Sequence, residues 1–409
     1  MNAAGEPHQR RSRDHLIAAS EPRQRPADAR LLVLDPYGEI MHAPRASLID
    51  FLQPSDLVIA NDAATLPASL HGSHEPTGAR IEVRLAGRRS LDSDDVARFT
   101  AVVFGAGDYR TRTEDRPLPP KLSPGDRLVL GSLVATVEAT LEHPRLVALR
   151  FAGSPDAIWE GLVRYGRPVQ YAHVSAPLAL WDVWTPVAAR PVAFEPPSAS
   201  FALDWRMIGA MRTRGIEFAT ITHAAGLSST GDAILDARLP FDEPYAITEA
   251  TAVAIRHAKR QRRRIIAIGT TVVRALEHAA LRHGSVRSGN GIAMQRIGPR
   301  TRLRVVDAIV SGTHEPGSSH YELLRAFLDD RTLLRVNDAF AAHGYRTHEF
   351  GDSVLIMRQV RSAARHRSNS QVTLAQRRKR SSEPDPRRHQ SNLAATLKTC
   401  ITSRSGFET

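Results

Sequence analysis

A short apolar run, a glycine and a helical pattern follow one another in the clearest hydrophobic signal of this chain. Ile265–Ile268 is continuously apolar, as in a strand that is covered on both faces. Gly269 permits a sharp turn, and apolar residues then recur at helical spacing. The pattern predicts a strand, a tight turn and an amphipathic helix capped by Thr270 or Thr271. Free backbone donors at such a helix start can bind an anion or a nucleotide.

Two charged residues near the start of this helix extend the candidate site. Arg274 and Glu277 are three positions apart, so we expect their side chains to face each other. With the hydroxyls of Thr270 and Thr271 they would form a polar group at the edge of the sheet. A simpler interpretation also fits, in which Gly269 closes a turn, a threonine caps a helix and the charged pair is solvated.

Strand and helix patterns alternate along most of the remaining chain and predict an α/β fold. Strands are predicted at residues 31–34, 57–60 and 217–222, and helices at residues 46–52, 200–213 and 248–260. Five further strands are predicted in a row, separated mostly by Gly and Pro, at residues 80–85, 101–104, 127–130, 134–139 and 146–151. This change of pattern predicts a small antiparallel, barrel-like β domain inserted into a large α/β domain.

The same patterns give the expected domain boundaries. The large domain would comprise residues 30–72 and 153–360, and the inserted β domain residues 73–152. Residues 1–29 and 361–409 are polar and basic, and we expect both to be disordered.

Most of the positive charge lies at the C-terminal end. Residues 361–409 contain 11 Lys or Arg and 3 Asp or Glu, so they carry +8 of the net charge of +12 and leave +4 for the rest. Such a tail could contact phosphates without sequence preference, or it could simply be a solvated extension.

Composition also excludes several classes of protein. No run of eighteen apolar residues occurs, and the N-terminal segment lacks the apolar centre of a secretory signal, so we expect a cytoplasmic protein without membrane association. Cys400 is the only cysteine, which excludes an intrachain disulfide and a multi-cysteine zinc site.

Titratable residues are concentrated in two short segments near the end of the expected large domain. They are His314, Glu315, His320, His348, Glu349 and Asp352. Pro316 excludes the helical His-Glu-x-x-His pattern of zinc proteases. A metal site made of the three histidines is conceivable, but the spacing is weakly specific, and helix capping with surface solvation also explains these residues. We therefore expect no metal site.

Ordered motifs between about residues 30 and 358 resemble the S-adenosylmethionine:tRNA ribosyltransferase-isomerase family of queuosine biosynthesis. The family's Gly-Thr-Thr-x-Val-Arg-x-Leu-Glu segment matches residues 269–277, and its Asn-Asp loop matches Asn61 and Asp62. The histidine of its Leu-His-Val-Gly segment matches His223, which directly follows a predicted strand, a position well placed to line a pocket.

The chain departs from the family pattern at several motifs. The family's Asn-Asp-Thr-Arg reads Asn-Asp-Ala-Ala at residues 61–64, which removes a cationic side chain. Its His-Ser-Glu reads Phe-Asp-Glu at residues 241–243, so an imidazole is lost while a carboxylate remains. Its Asn-Phe-His-Leu-Pro reads Gly-Thr-His-Glu-Pro at residues 312–316, and this version, with His-Glu-Phe-Gly-Asp at residues 348–352, resembles a variant branch.

The resemblance implies a metal-free reaction without a cofactor, in which the ribosyl part of S-adenosylmethionine is transferred to a 7-aminomethyl-7-deazaguanine in tRNA and isomerised, giving epoxyqueuosine. It implies a monomer whose partners are S-adenosylmethionine and tRNA. The implied catalytic residues are His223, Glu243, His314 and Glu315. The implied substrate-binding residues are Asn61, Asp62, Thr270, Thr271, Arg274, Glu277, His320, His348, Glu349 and Asp352.

Within these sets, Glu243 or His223 would be the base, Arg274 would hold the carboxylate of the substrate, and the threonines would bind hydroxyls. Because Phe241 cannot move a proton, we expect His223, His314 or His320 to lie close to Glu243. Two alternatives follow from the departures: a transferase that uses S-adenosylmethionine or a nucleoside with another acceptor, and a catalytically silent RNA-binding relative.

Overall fold

The computed structural model describes residues 16–359. Within this range the strands are β1 (Ile17–Ala18), β2 (Arg30–Leu34), β3 (Ile40–Pro44), β4 (Leu57–Asn61), β5 (Ala63–Thr65), β6 (Ser69–His74), β7 (Arg80–Gly87), β8 (Arg98–Phe104), β9 (Arg127–Leu130), β10 (Leu133–Thr140), β11 (Leu146–Phe151), β12 (Gly166–Arg167), β13 (Arg190–Ala193), β14 (Glu217–His223), β15 (Glu243–Ile247), β16 (Ile265–Ile268), β17 (Gly289–Ala293), β18 (Ala308–Gly312), β19 (Arg346–Thr347) and β20 (Ser353–Met357).

The helices in the same range are α1 (Pro155–Tyr165), α2 (Leu180–Val183), α3 (Trp205–Thr213), α4 (Ala233–Asp236), α5 (Glu249–Arg260), α6 (Thr270–His283), α7 (Ser319–Leu324) and α8 (Asp330–Ala342). Short 3-10 helices span Arg45–Phe51, Thr113–Asp115 and Ser198–Ala202. None of the helices between residues 16 and 359 has the length and apolarity needed to cross a membrane.

A nine-stranded sheet forms the centre of the large domain, in the order β17-β15-β14-β4-β16-β18-β20-β2-β3. The four central strands, β14, β4, β16 and β18, run parallel. Side chains of β4 alternate between two hydrophobic clusters: Leu57 and Ile59 pack with α5, α6 and α8, while Val58 and Ala60 pack with α3 on the other face. Both faces of the sheet are therefore covered, as the continuous apolar runs predict.

Six antiparallel strands close into a β-barrel, in the order β6-β7-β8-β11-β10-β9, and pairing of β6 with β9 completes the ring. A Cβ atom at Gly72 would lie 2.0 Å from the carbonyl oxygen of Val129, so this glycine allows the closing strands to approach. The predicted α/β fold with an inserted barrel-like domain is confirmed. The barrel sheet starts at Ser69, so residues 69–72 belong to it and not to the large domain as expected; their polar sequence hid the strand.

Residues 16–29 are ordered, contrary to the prediction that disorder extends to residue 29. β1 pairs in parallel with β19. The side chain of Gln24 donates hydrogen bonds to the carbonyl oxygens of Trp181, Asp182 and Trp184 at 3.2, 2.9 and 2.8 Å. Polar side chains that suggest solvation thus bind backbone acceptors of a neighbouring segment. Residues 1–15 and 360–409, including the predicted tail, lie outside the described residues.

The helix predicted at residues 200–213 is divided into a 3-10 helix, Ser198–Ala202, and α3. The Asp204 side chain accepts a hydrogen bond from the Met207 backbone N–H at 2.6 Å and caps α3 at its own start. The helix predicted at residues 248–260 is α5, whose N-cap is Thr248.

Candidate active site

A cleft of about 620 Å³ lies beside the C-terminal ends of the central parallel strands. Its walls include the segments that follow β14, β16 and β18, together with residues 112–114 of the barrel insertion. Nine of the residues implied by the sequence line the cleft: Glu243, Thr270, Thr271, Arg274, His314, Glu315, His320, His348 and Glu349. The edge of a parallel sheet is where such folds bind ligands.

The turn between β16 and α6 forms one wall of this cleft. Gly269 is the N-cap of α6 and has a φ of 97°, in the left-handed region that favours glycine. No side chain caps this helix start, so the prediction that Thr270 or Thr271 caps α6 was wrong. They are instead the first two helical residues, and both line the cleft.

The carboxylate of Glu243 is the centre of a buried network. Its Oε2 lies 2.8 Å from Nε2 of His223 and also accepts from the guanidinium of Arg274. Its Oε1 accepts from the backbone N–H of Gly226 at 2.7 Å. The other ring nitrogen of His223, Nδ1, lies 2.8 Å from the carbonyl oxygen of Thr271. The expectation that a histidine lies close to Glu243 is confirmed, and that histidine is His223.

Strand register explains this contact. β14 and β15 are antiparallel, with His223 opposite Tyr245, so Glu243 is the diagonal neighbour of His223 on the same face. Asn61 fixes the histidine from the adjacent strand: its Oδ1 accepts from the His223 N–H and its Nδ2 donates to the His223 carbonyl oxygen, both at 2.9 Å. His223 and Asn61 are fully buried behind the cleft wall, so Asn61 positions His223 and does not line the cleft.

The charges around Glu243 set its protonation. Burial alone would raise the pKa of its carboxyl, but the Arg274 guanidinium, helped by hydrogen bonds from His223 and Gly226, lowers this pKa to about 2. Glu243 is thus a stable carboxylate at physiological pH. Such a group is suited to stabilising positive charge and is a weak proton acceptor.

Arg274 and Glu277 do not face each other, so their predicted pairing was wrong. The Arg274 guanidinium donates to Glu243 and to the carbonyl oxygen of Ala293 at 2.8 Å, which leaves it engaged by the protein and not free to hold a substrate carboxylate. The Glu277 carboxylate accepts three backbone N–H groups from residues 304–306, at 2.7, 2.9 and 2.9 Å. Glu277 does not line the cleft and holds a loop in place.

Asp62 and Asp352 also lie outside the cleft lining. Asp62 accepts hydrogen bonds from the hydroxyls of Thr220 and Thr222 at 2.8 and 2.6 Å. Asp352 accepts from the backbone N–H of Arg30 and of Arg346, both at 2.8 Å. These carboxylates are occupied in joining strands and loops, which argues against the substrate-binding role that the resemblance implied.

Two histidines of the cleft stack on each other, His314 and His320, with ring centroids 4.8 Å apart. Nε2 of His314 lies 2.8 Å from the Ser311 hydroxyl. Burial lowers the pKa of His320 and brings the pKa of His314 well below its usual value, so both are neutral near pH 7. The conceivable metal set of these two with His348 is not formed in residues 16–359; His348 instead groups with His173 and Glu349.

The cleft residues that sequence reasoning missed include Tyr171, His173 and Glu195. The Tyr171 hydroxyl donates to the Glu195 carboxyl. Burial, together with the nearby Glu349, raises the pKa of Glu195 to about 7. The sequence offered no clear signal for Glu195, which lies in Phe-Glu-Pro-Pro at residues 194–197, because a single glutamate is normally exposed to solvent.

Residues 13–356 match the model of a family described as queuosine biosynthesis protein. The chain belongs to this family. A protein of Sorangium cellulosum named S-adenosylmethionine:tRNA ribosyltransferase-isomerase is 34% identical over 369 residues, which cover 83% of this chain and 95% of that protein. A protein of the same name from Thermus thermophilus is 31% identical over 340 residues, covering 80% and 92%. A crystal structure of S-adenosylmethionine tRNA ribosyltransferase from Thermotoga maritima covers 84% of this chain and 98% of its own, with 22% identity and a TM-score of 0.45.

Glu315 of the His-Glu-Pro motif and His348 and Glu349 of the His-Glu-Phe-Gly-Asp motif line the same cleft. Phe241, which replaces the family's histidine, packs against the hydrophobic core of the barrel, and its carbonyl oxygen accepts a hydrogen bond from Arg274 at 3.2 Å. In this queuosine-family member His348 and Glu349 thus group with His173, and Glu315 lies 3.7 Å from His348.

Proposed function

We propose that this protein transfers the ribosyl part of S-adenosylmethionine to a 7-aminomethyl-7-deazaguanine in tRNA and isomerises it, giving epoxyqueuosine. The observation that carries the proposal is the buried His223–Glu243–Arg274 network at the wall of a large cleft, next to the start of α6. Names of relatives that cover most of the chain support the same activity.

The charge of the cleft fits such substrates. Six carboxylates line it and only two guanidiniums: Glu114, Glu195, Asp236, Glu243, Glu315 and Glu349 against Arg112 and Arg274. The sulfonium of S-adenosylmethionine and the aminomethyl group of the base are both cations in water. An acidic cleft attracts both groups, and the fixed carboxylate of Glu243 would stabilise positive charge during transfer.

The proposed chemistry removes a proton beside the sulfonium, so it requires a proton acceptor. We assign this role to His320, because it lines the cleft and its pKa is lowered by burial. Within residues 16–359 its ring has no hydrogen-bond partner, whereas the ring of His314 contacts Ser311. Glu243 would then act as a charge stabiliser and His223 would hold it in position.

S-Adenosylmethionine is consumed as a substrate in this reaction, and the transfer involves no net oxidation or reduction that would require a redox cofactor. The residues to which the reaction is assigned, Glu243 and His320, belong to one chain, so the proposed mechanism needs no second subunit. A tRNA substrate supports a cytoplasmic location.

Adenine release tests the proposed function. The purified protein is incubated with S-adenosylmethionine and tRNA that carries the 7-aminomethyl-7-deazaguanine base, and adenine is measured by chromatography. We expect one adenine per modified tRNA and none with the same tRNA carrying guanine. Release with a different acceptor only would identify another transferase, and tRNA binding without any release would identify a silent relative.

Replacing His320 by Asn should lower kcat by about two to four orders of magnitude and leave KM for S-adenosylmethionine nearly unchanged. Because the His320 pKa is lowered, the wild-type rate should fall as the pH is lowered, with its midpoint below the pH of 6.5 at which a free imidazole is half protonated. Rates of adenine release across this pH range provide the measurement. His257→Asn, at an exposed histidine of α5, is the matched control and should behave as wild type. A wild-type rate in the His320 variant would show that another residue is the base.

A further inference from the structure

We infer that His173, His348 and Glu349 bind one divalent transition-metal ion of the zinc class at the wall of the cleft. Their candidate ligand atoms all lie within 4.8 Å of one another. Nε2 of His173 and Oε2 of Glu349 are 3.0 Å apart. This site goes beyond the proposed function and departs from the sequence-based expectation of no metal.

The spacing is close to what an ion requires. Zinc binds imidazole nitrogen and carboxylate oxygen at about 2.0–2.2 Å, so two ligand atoms of a tetrahedral site are roughly 3.3 Å apart. His173 and Glu349 already have nearly this separation. The rings of His173 and His348 lie face to face, with centroids 4.2 Å apart and planes 18° apart, so His348 must turn to direct a nitrogen at the same point.

The His348 side chain is free to rotate in this way, whereas the His173 ring is held in place. Its side chain is 37% exposed, and its ion pair with Glu315 is long, at 3.7 Å. The His173 ring, in contrast, is stacked against Tyr171 with planes 9° apart. The backbone of His348 has a φ of 70°, which non-glycine residues seldom adopt, and the Gly351 N–H fixes this loop by donating to the His348 carbonyl oxygen at 3.0 Å.

The ligand types select the ion. Two imidazoles and one carboxylate suit zinc, cobalt or ferrous iron, whereas calcium and magnesium prefer oxygen ligands alone. Glu315, a further carboxylate of the cleft, lies 3.7 Å from His348 and adds negative charge that favours a cation. Three protein ligands leave at least one coordination position for a further ligand, and all three residues line the cleft.

An ion at this site would supply a positive charge that the cleft lacks. Arg274 is paired with Glu243, and Arg112 is paired with Glu114, so neither of the guanidiniums that line the cleft is free within the described residues. The ion could therefore bind an anionic group of a ligand. If the proposed function holds, that group is the α-carboxylate of S-adenosylmethionine.

Zinc titration by calorimetry tests the site directly. The full-length protein is stripped with a chelator, dialysed and titrated with zinc chloride, and cobalt absorption bands report nitrogen coordination. We expect one zinc per chain, bound at micromolar or lower Kd. His173→Ala and Glu349→Gln each remove a proposed ligand and should weaken this binding by more than the roughly 10- to 100-fold that loss of a residue supporting a ligand costs, whereas His257→Ala, at an exposed histidine of α5, should not weaken it.

Two results would overturn the site: no zinc binding by the wild type, or zinc binding that survives both His173→Ala and Glu349→Gln. The second result would place the ion elsewhere, since His8, His15, His366, His389 and Cys400 also offer ligands. Circular dichroism of each variant checks that the fold is retained.

The link to the substrate has its own test. Affinity for S-adenosylmethionine is measured with stripped and zinc-loaded protein, and we expect about tenfold tighter binding with zinc. Equal affinity would refute the carboxylate role. The two proposals can fail separately. If zinc does not bind, adenine release still tests the proposed function; if adenine is not released, calorimetry still tests the metal site.

Discussion

Replacing Glu243 by Gln should nearly abolish adenine release and also weaken the fold at neutral pH. Glutamine keeps the size of the side chain but cannot neutralise the buried guanidinium of Arg274. Leaving one partner of a buried ion pair alone costs about 3–5 kcal/mol in the free energy of unfolding. Loss of a fixed group that stabilises a charged transition state lowers kcat by about two to three orders of magnitude.

The effect of Glu243→Gln on the free energy of unfolding should depend on pH. The carboxyl pKa of Glu243 falls from 4.5 to about 2 on folding, so its stabilising contribution is fully present above pH 4.5 and is lost as pH falls towards 2. The wild type and Glu243→Gln should therefore differ most in unfolding free energy near pH 7, and less near pH 3. Urea unfolding at both pH values provides the measurement. Glu322→Gln, at a half-exposed ion pair with Arg325, is the control and should change little. An equal difference at both pH values would mean that ionisation of Glu243 contributes nothing to stability.

Replacing Glu277 by Ala should destabilise the protein without a direct effect on the cleft. The carboxylate accepts three backbone N–H groups from residues 304–306, and alanine would leave these donors without a partner in the protein. Two of these donors, those of Val305 and Val306, are buried, and each buried donor left unpaired costs about 1–3 kcal/mol, so we expect a loss of at least about 2 kcal/mol in the free energy of unfolding.

A graded series makes this expectation sharper. Glu277→Gln retains one acceptor oxygen and should lose less stability than Glu277→Ala in urea unfolding at pH 7. Glu160→Ala, at an exposed glutamate of α1, should be close to neutral. Where Glu277→Ala is folded, its affinity for S-adenosylmethionine should match the wild type. If Glu277→Ala is stable but binds S-adenosylmethionine much more weakly, Glu277 has the substrate-binding role that the resemblance implied.

Glu277 also shows how far the sequence predicts the site. Helical spacing predicted that Arg274 and Glu277 would face each other, but each side chain binds a partner from another segment instead. Those partners, Glu243 and the backbone of residues 304–306, come from segments that are distant in the sequence. No local pattern contains this information.

More of the fold than of the candidate site could be predicted from the sequence. Continuous apolar runs predict the buried strands β4 and β16, and alternation of apolar and polar residues predicts the barrel strands. Both predictions succeed because the order of apolar and polar residues along a strand shows whether one face or both faces are buried. The polar strand β6 and the ordered residues 16–29 were missed because pairing with other segments determines their structure. The contact of His223 with Glu243 was anticipated from motifs, whereas Glu195 and His173 required the folded chain.

The closed barrel has a consequence for how members of this family can diverge. The chain enters the barrel just after β5 and has left it before β13, and these two strands pair with each other as a separate two-stranded sheet. Entry and exit therefore lie side by side, so that recombination can replace the barrel without interrupting the central sheet. Residues 112–114 of the barrel insertion form part of the cleft wall, while the Glu243 network belongs to the large domain. Exchange of the barrel between relatives would thus reshape the side of the cleft available to the acceptor and leave the chemistry in place.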